Sequence, residues 1–301
     1  MNTKHLIVVA GPTASGKTAA AVRLAKEYQT AVLSADSRQF FREMSIGTAK
    51  PTATEMEGIP HYFIDSLSIF DEYTVGDFER DALRLLDRLY LDHRVVVLAG
   101  GSGLFIKALC EGLDKFPEVP AEFRKKMEGL YREKGLEYLQ EYLQRVDPVY
   151  FGEVDLQNPH RLIRALAVYE ASGMPFSAFR KGASAVRPFK PVYLLLNPER
   201  EELYRRIDLR VDQMFERGLL EEARGLDPFR QQNALRTVGY QELFDFFEGA
   251  TTLENAVSLI KQHSRNYAKR QMTWFRKQQG WAVFDPGDIA AQTAFLRNAV
   301  S

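Results

Sequence analysis

The chain has 301 residues, is 45% hydrophobic and carries 40 basic against 40 acidic side chains, a formal charge of zero. These figures support one large or two modest domains with a full core. They exclude a uniformly basic nucleic-acid-binding surface but leave room for a locally basic groove. A single cysteine, Cys110, excludes an internal disulfide. It sits in an apolar run with no histidine nearby, so a buried, inert thiol is expected. With no signal-peptide pattern and no long apolar span, a cytoplasmic protein without a membrane segment is expected.

Residues 6–10, Leu-Ile-Val-Val-Ala, read as a strand and lead directly into Gly11-Pro12-Thr13-Ala14-Ser15-Gly16-Lys17-Thr18, which opens a helix. Two glycines with four residues between them, followed by lysine and threonine, form a phosphate loop. Its backbone N–H groups and a helix N-terminus face phosphate oxygens, Lys17 adds charge and Thr18 can hold a metal ion. A diphosphate or triphosphate ligand follows, with nucleotide or ATP binding among the possibilities.

Further β-branched runs at 31–33, 62–64, 95–99 and 192–196 alternate with helical stretches, so an α/β fold with a parallel sheet is predicted. After the second run, Asp36 in Ser34-Ala35-Asp36-Ser37-Arg38-Gln39 either faces the phosphate site or caps its own turn. Between residues 74 and 93, Phe78, Ala82, Leu85, Leu86 and Leu89 keep helical spacing. Residues 100–104, Gly-Gly-Ser-Gly-Leu, bring Ser102 to the ligand edge of the sheet or form a plain glycine turn.

Residues 116–187 are charged, rich in Tyr, Leu, Arg and Glu, and without a convincing strand, so they read as a helical insertion between 1–115 and 188–301. Turn chemistry at 115–120 and 182–188 brackets it. Beyond Pro198 the chain reads as mainly helical. Lys261, Arg265 and Lys269 recur every four residues, a basic helical face continued by Arg270, Arg276 and Lys277, with Tyr267 and Trp274 available to pack or stack.

A nucleotide hydrolase places a metal-holding carboxylate at the end of a second strand. Here the corresponding run ends Val97-Leu98-Ala99-Gly100-Gly101, and no acid follows. The guanine-reading Asn-Lys-x-Asp motif is also missing, which leaves an ATP-dependent small-molecule kinase, a noncatalytic RNA-binding module, or a different phosphate chemistry.

The phosphate loop, Asp36-Ser37-Arg38-Gln39, Gly47-Thr48-Ala49-Lys50-Pro51 and Gly100-Gly101-Ser102-Gly103-Leu104 together resemble the tRNA dimethylallyltransferases. So do Asn158-Pro159-His160-Arg161-Leu162-Ile163-Arg164-Ala165-Leu166, Arg236-Thr237-Val238-Gly239-Tyr240 and Arg270-Gln271-Met272-Thr273-Trp274-Phe275-Arg276, and the ordered set covers nearly the whole chain. The resemblance implies a P-loop NTPase-like parallel sheet flanked by helices, with a helical insertion domain contacting tRNA. It implies transfer of the five-carbon group of dimethylallyl diphosphate to N6 of the adenosine 3′ to the anticodon, position 37, with release of diphosphate and with Mg²⁺ held near Thr18.

Asp36, Ser102 and Lys17 carry over as catalytic. Gly11 to Thr18 carry over as the diphosphate cradle, joined by an arginine, Arg210, with Arg205 and Arg206 as neighbours able to do the same work. Asp36 to Gln39, His160 to Arg164 and Arg236 to Gln241, with Ser102 and Arg124, carry over as tRNA contacts. Ser102 stands where the family often has threonine, Phe105 where it often has tyrosine, and Phe40-Phe41 depart from the commoner aliphatic-aromatic pair. A monomer is expected.

Overall fold

The computed structural model describes residues 3–182 and 185–300. They fall into two compact units, one made of the chain up to Cys110 together with the chain from Arg187 onward, the other of Glu111–Val186. The insertion expected at 116–187 thus corresponds to a unit that begins a few residues earlier. Of its closing turn, Ala183 and Ser184 lie outside the described residues.

The first unit begins with β1 (His5–Ala10), α1 (Lys17–Glu27), β2 (Val32–Ser34), α2 (Ala53–Met56), β3 (His61–Tyr62), α3 (Val75–Asp92), β4 (Val95–Gly100) and α4 (Gly103–Glu111). The second holds α5 (Ala121–Val146), α6 (Pro148–Phe151) and α7 (Pro159–Ser172). The first then resumes with β5 (Lys190–Leu196), α8 (Arg200–Glu216), α9 (Leu219–Leu226), α10 (Tyr240–Phe247), α11 (Leu253–Arg276), β6 (Ala282–Phe284) and α12 (Ile289–Ala299).

The sheet order is β3-β2-β4-β1-β5-β6, and every pairing is parallel. A central parallel strand is covered on both faces and reads as a continuous apolar run, and each residue of β1 is buried. The two-residue period divides it between layers: Leu6, Val8 and Ala10 pack with Phe78, Leu86, Ile106 and Phe275, whereas Ile7 and Val9 pack with Ala21, Leu24 and Leu296. Cys110 belongs to the first layer and is 5% exposed. Phe40 and Phe41 are core residues as well, in different clusters.

One sequence expectation needs correction. The run at 62–64 pairs only at His61 and Tyr62, because Phe63 (φ 61°) and Asp65 (φ 54°) turn the chain into the left-handed region and break the extended path. The mainly helical C-terminal stretch contains a strand, β6, at the sheet edge beside β5. It is only three residues long, too short for a periodic signal.

In the second unit, Asn158 caps α7 by accepting from Arg161 N–H, with Pro159 at the first helical position. Leu162, Ala165 and Leu166 pack there with Met127, Leu139 and Leu143 of α5, which bends at Gly135 (φ 80°). Asp147, 1% exposed, pins this unit by accepting from Tyr150 N–H, Ser177 N–H and Ser177 Oγ. Among the described residues, no helix is long and apolar enough to cross a membrane.

Candidate active site

Strand register sets the site. Ala10 of β1 pairs with Gly100 of β4, and Ala99 with Ser34 of β2, so the three strands end side by side. The turns that follow, bearing Gly11 to Lys17, Asp36 and Ser102, therefore emerge at one edge of the sheet, where open α/β sheets bind ligands.

That edge opens into a cavity of about 630 Å³ lined by Thr13 to Ala19, Asp36 to Gln39, Gly47 to Ala49, and residues of α8, α10 and α11. At its phosphate-loop end, Ala14 (φ 61°) and Gly16 (φ 85°) turn the chain through the left-handed region. Gly16 is the N-cap of α1 and has no side chain with which to cap it, and no acid stands in the first turn. By contrast α3 closes its N-terminus with a Thr74/Asp77 capping box. The uncapped donors of α1 are thus left for an anion. Gly11 and Pro12 are buried at the base of the loop, and Lys17 Nζ donates to Pro12 O at 2.6 Å. Ser15 Oγ is buried without a hydrogen-bond partner.

Arg210 comes to this end from α8, with Nη1 donating to Thr13 Oγ1 at 3.1 Å. Arg205 and Arg206 do not, because both pair with Glu202 on their own helix. Burial pulls the Lys17 ammonium down to about 8, Arg210 adds to the shift, and Asp36 opposes it.

Asp36 satisfies both of its sequence readings. Its Oδ1 accepts from Arg38 N–H at 3.1 Å, closing the turn, while the residue lines the cavity. Ser102 reaches the same turn, its Oγ accepting from Ser37 N–H at 3.2 Å. Gln39 donates from Nε2 to Thr48 O and Ala49 O, and the Arg38 guanidinium donates to the carbonyls of Asn233, Ala234 and Arg236. Asp36-Ser37-Arg38-Gln39 therefore holds together the Gly47 loop and the segment leading into Arg236 to Gln241.

Several expected contact residues are placed otherwise. Tyr240 is fully buried, its hydroxyl donating to Glu222, so its side chain is core and not available to a ligand. Arg236, Thr237, Val238, Gly239 and Gln241 of the same block do line the cavity. In the second unit Leu162 and Ile163 are core, whereas His160, Arg161 and Arg164 are exposed. Arg124, also exposed, pairs with Glu128 at 3.1 Å. Two cations of the expected basic face of α11 are neutralised, since Lys261 pairs with Asp212 and Arg265 with Asp208 of α8. Lys269, Arg270 and Lys277 remain exposed around the edge of Trp274.

A family model described as IPP transferase matches residues 39–278. This chain belongs to the IPP transferase family. The phosphate loop and Asp36 lie outside the matched span and point the same way independently. A tRNA dimethylallyltransferase of Cytophaga hutchinsonii is 50% identical over 293 residues, covering 97% of this chain and 96% of its own. One from Christiangramia forsetii is 49% identical, covering 94% of each. Among solved structures, a tRNA isopentenylpyrophosphate transferase of Bacillus halodurans superposes with TM-score 0.73 at 35% identity, over 99% of this chain and 95% of that one. A eukaryotic dimethylallyltransferase acting on tRNA gives 0.81 at 25% identity, over 98% and 80%.

Sequence reasoning passed over several residues that complete this IPP transferase cavity. Gln271 accepts from Thr13 N–H at 2.9 Å and donates to Gly101 O at 3.0 Å, bridging two strand-end turns. Glu222 accepts from the N–H groups of Ser45, Ile46 and Gly47 and from the Tyr240 hydroxyl. Ile207, Val211, Met214 and Ile260 give the cavity an apolar wall. The Gly47 loop lies so close to Tyr240 that a Cβ on Gly47 would meet the ring at 2.6 Å. Gly47→Ala is expected to cost about 1–3 kcal/mol of stability by overpacking, read from the denaturant midpoint; an unchanged midpoint would show that the loop gives way freely.

Proposed function

We propose that this chain transfers the dimethylallyl group of dimethylallyl diphosphate to N6 of the adenosine 3′ to a tRNA anticodon, position 37. The carrying observation is one cavity with Lys17, Arg210 and an uncapped helix N-terminus at one end, Asp36 beside them, and no carboxylate where β4 ends. Such a site cradles a diphosphate that departs, and the tRNA dimethylallyltransferases similar to this chain support the reading.

In the reaction the N6 lone pair forms a bond to the allylic carbon as the carbon–oxygen bond breaks, and the electron pair leaves with the diphosphate. Lys17, Arg210 and the loop N–H groups meet that growing charge in place before it develops. Asp36 takes the N6 proton as the carbon–nitrogen bond forms. The wall formed by Ile207, Val211, Met214 and Ile260 suits a five-carbon hydrocarbon chain. The target base leaves its stack to reach this cavity, at a cost of a few kcal/mol offset by phosphate contacts and stacking.

Thr18, at the first turn of α1, lines the cavity. No cluster of three His, Cys, Asp or Glu residues suited to a metal occurs among the described residues. This fits Mg²⁺, which is held by few protein oxygens and mainly by substrate phosphates. When bound it supplies charge neutralisation on the leaving group. The proposed enzyme acts as a monomer in the cytoplasm.

The deciding experiment incubates the protein with Mg²⁺, dimethylallyl diphosphate and unmodified tRNA, digests the RNA and identifies nucleosides by mass spectrometry, with ATP in place of the donor as control. N6-dimethylallyl adenosine at the anticodon-adjacent position is expected. Its absence with folded, tRNA-binding protein would overturn the assignment. Binding is expected to weaken with salt: if Lys269, Arg270 and Lys277 meet phosphates, the log–log slope is about −2 or steeper. A flat slope would remove these cations from the interface.

A further inference from the structure

Tyr267 is unusual on α11. Its neighbour Ala268 is fully buried, yet the tyrosine ring is left 38% exposed on the wall of the cavity that holds Asp36, Arg38 and Gln271. The Arg270 guanidinium lies 5.7 Å from its ring centroid. Its hydroxyl lies within electrostatic reach of Asp36 and Arg38. An aromatic face on the wall of the cavity that also carries Asp36 has the form of a base-stacking platform. An extruded base is held by stacking on aromatic side chains while its edge is read by hydrogen bonds. A purine lying along this ring shares the cavity with Asp36.

We propose that Tyr267 is the stacking platform for the extruded adenine, holding its N6 edge over Asp36. This rests on the tRNA reading above and adds a specificity-determining residue to it. The phenol itself takes no proton from the substrate: burial first, and Asp36 next, push its pKa up to about 12, so it stays neutral and contributes a ring face. Arg270 lends the ring a cation–π contact that fixes its plane.

Two readouts test this on the full chain. Steady-state transfer is measured for the parental protein, Tyr267→Ala, Tyr267→Leu and Tyr267→Phe. In parallel, each binds a tRNA carrying 2-aminopurine at the target position, a base without the reactive 6-amine whose fluorescence is quenched by stacking. Tyr267→Ala is expected to raise the KM for tRNA by about 10- to 100-fold, leave the KM for the diphosphate donor unchanged, and give a brighter 2-aminopurine complex. Tyr267→Leu keeps bulk without a π-face and is expected to follow Tyr267→Ala, which covers the case in which the alanine variant fails to fold. Tyr267→Phe retains the ring and is expected to stay near the parental values.

Equal 2-aminopurine brightness in all variants, a donor KM that rises with the tRNA KM, or a Tyr267→Phe defect as large as that of Tyr267→Ala would overturn the platform. A parental protein that forms no prenylated adenosine would overturn the reaction assigned above instead, and the fluorescence comparison would still decide the stacking.

Discussion

Asp36→Asn is expected to slow single-turnover prenyl transfer by about two to four orders of magnitude, the usual contribution of a positioned general base. The substitution isolates chemistry from folding. Asp36 Oδ1 accepts from Arg38 N–H, and an asparagine carbonyl can accept the same bond, so the turn that carries Ser37, Arg38 and Gln39 is retained. What disappears is the acceptor for the N6 proton. A second consequence follows from charge. Asp36 supports the protonated forms of both Lys17 and Arg210, so its neutralisation lowers the Lys17 pKa further. Donor binding in the variant is therefore expected to decline at lower pH than in the parent. Rapid-quench turnover with enzyme in excess separates the two effects, and a near-parental rate at saturating donor would remove Asp36 from the proton-accepting role.

The division between what the sequence reveals and what it conceals follows the range of the interactions. The phosphate loop is legible because strand, turn and helix N-terminus are contiguous, and each part has a local chemical reason. The walls of the cavity are not local. Gln271 reaches Thr13 across 258 positions, and Glu222 reaches Ser45 across 177; neither has a spacing that marks it. The same limit explains the basic face on α11. Counted along the helix, Lys261 and Arg265 have no acidic neighbour, but α8 packs alongside and supplies Asp212 and Asp208. Tyr240 sits inside a block of cavity residues yet points into the core, because a short helix sends successive side chains in different directions. Arg210 shows the converse. Sequence offered it beside Arg205 and Arg206, and only the pairing of those two with Glu202 separates them from it.

Lys17→Met is expected to reduce kcat/KM for the diphosphate donor by at least about 100- to 1,000-fold, the loss associated with removing one preorganised donor from a developing anion. The pH profile of the parental enzyme gives the more specific signature. With its pKa pulled down to about 8, chiefly by burial, Lys17 is charged below that pH and neutral above it. Only the charged form attracts a diphosphate, so kcat/KM for the donor is expected to hold level below about 8 and to fall tenfold per pH unit above it. Bound diphosphate stabilises the ammonium, so the fall in kcat at saturating donor is displaced to higher pH. Lys17→Arg supplies the control: a guanidinium stays protonated throughout this range, and the limb in kcat/KM should vanish even where the altered geometry lowers the rate. If the limb near 8 persists in Lys17→Arg, another group governs donor capture. If it vanishes, the titrating group is the lysine that the loop wraps, and the free site carries a cation whose charge its own ligand reinforces.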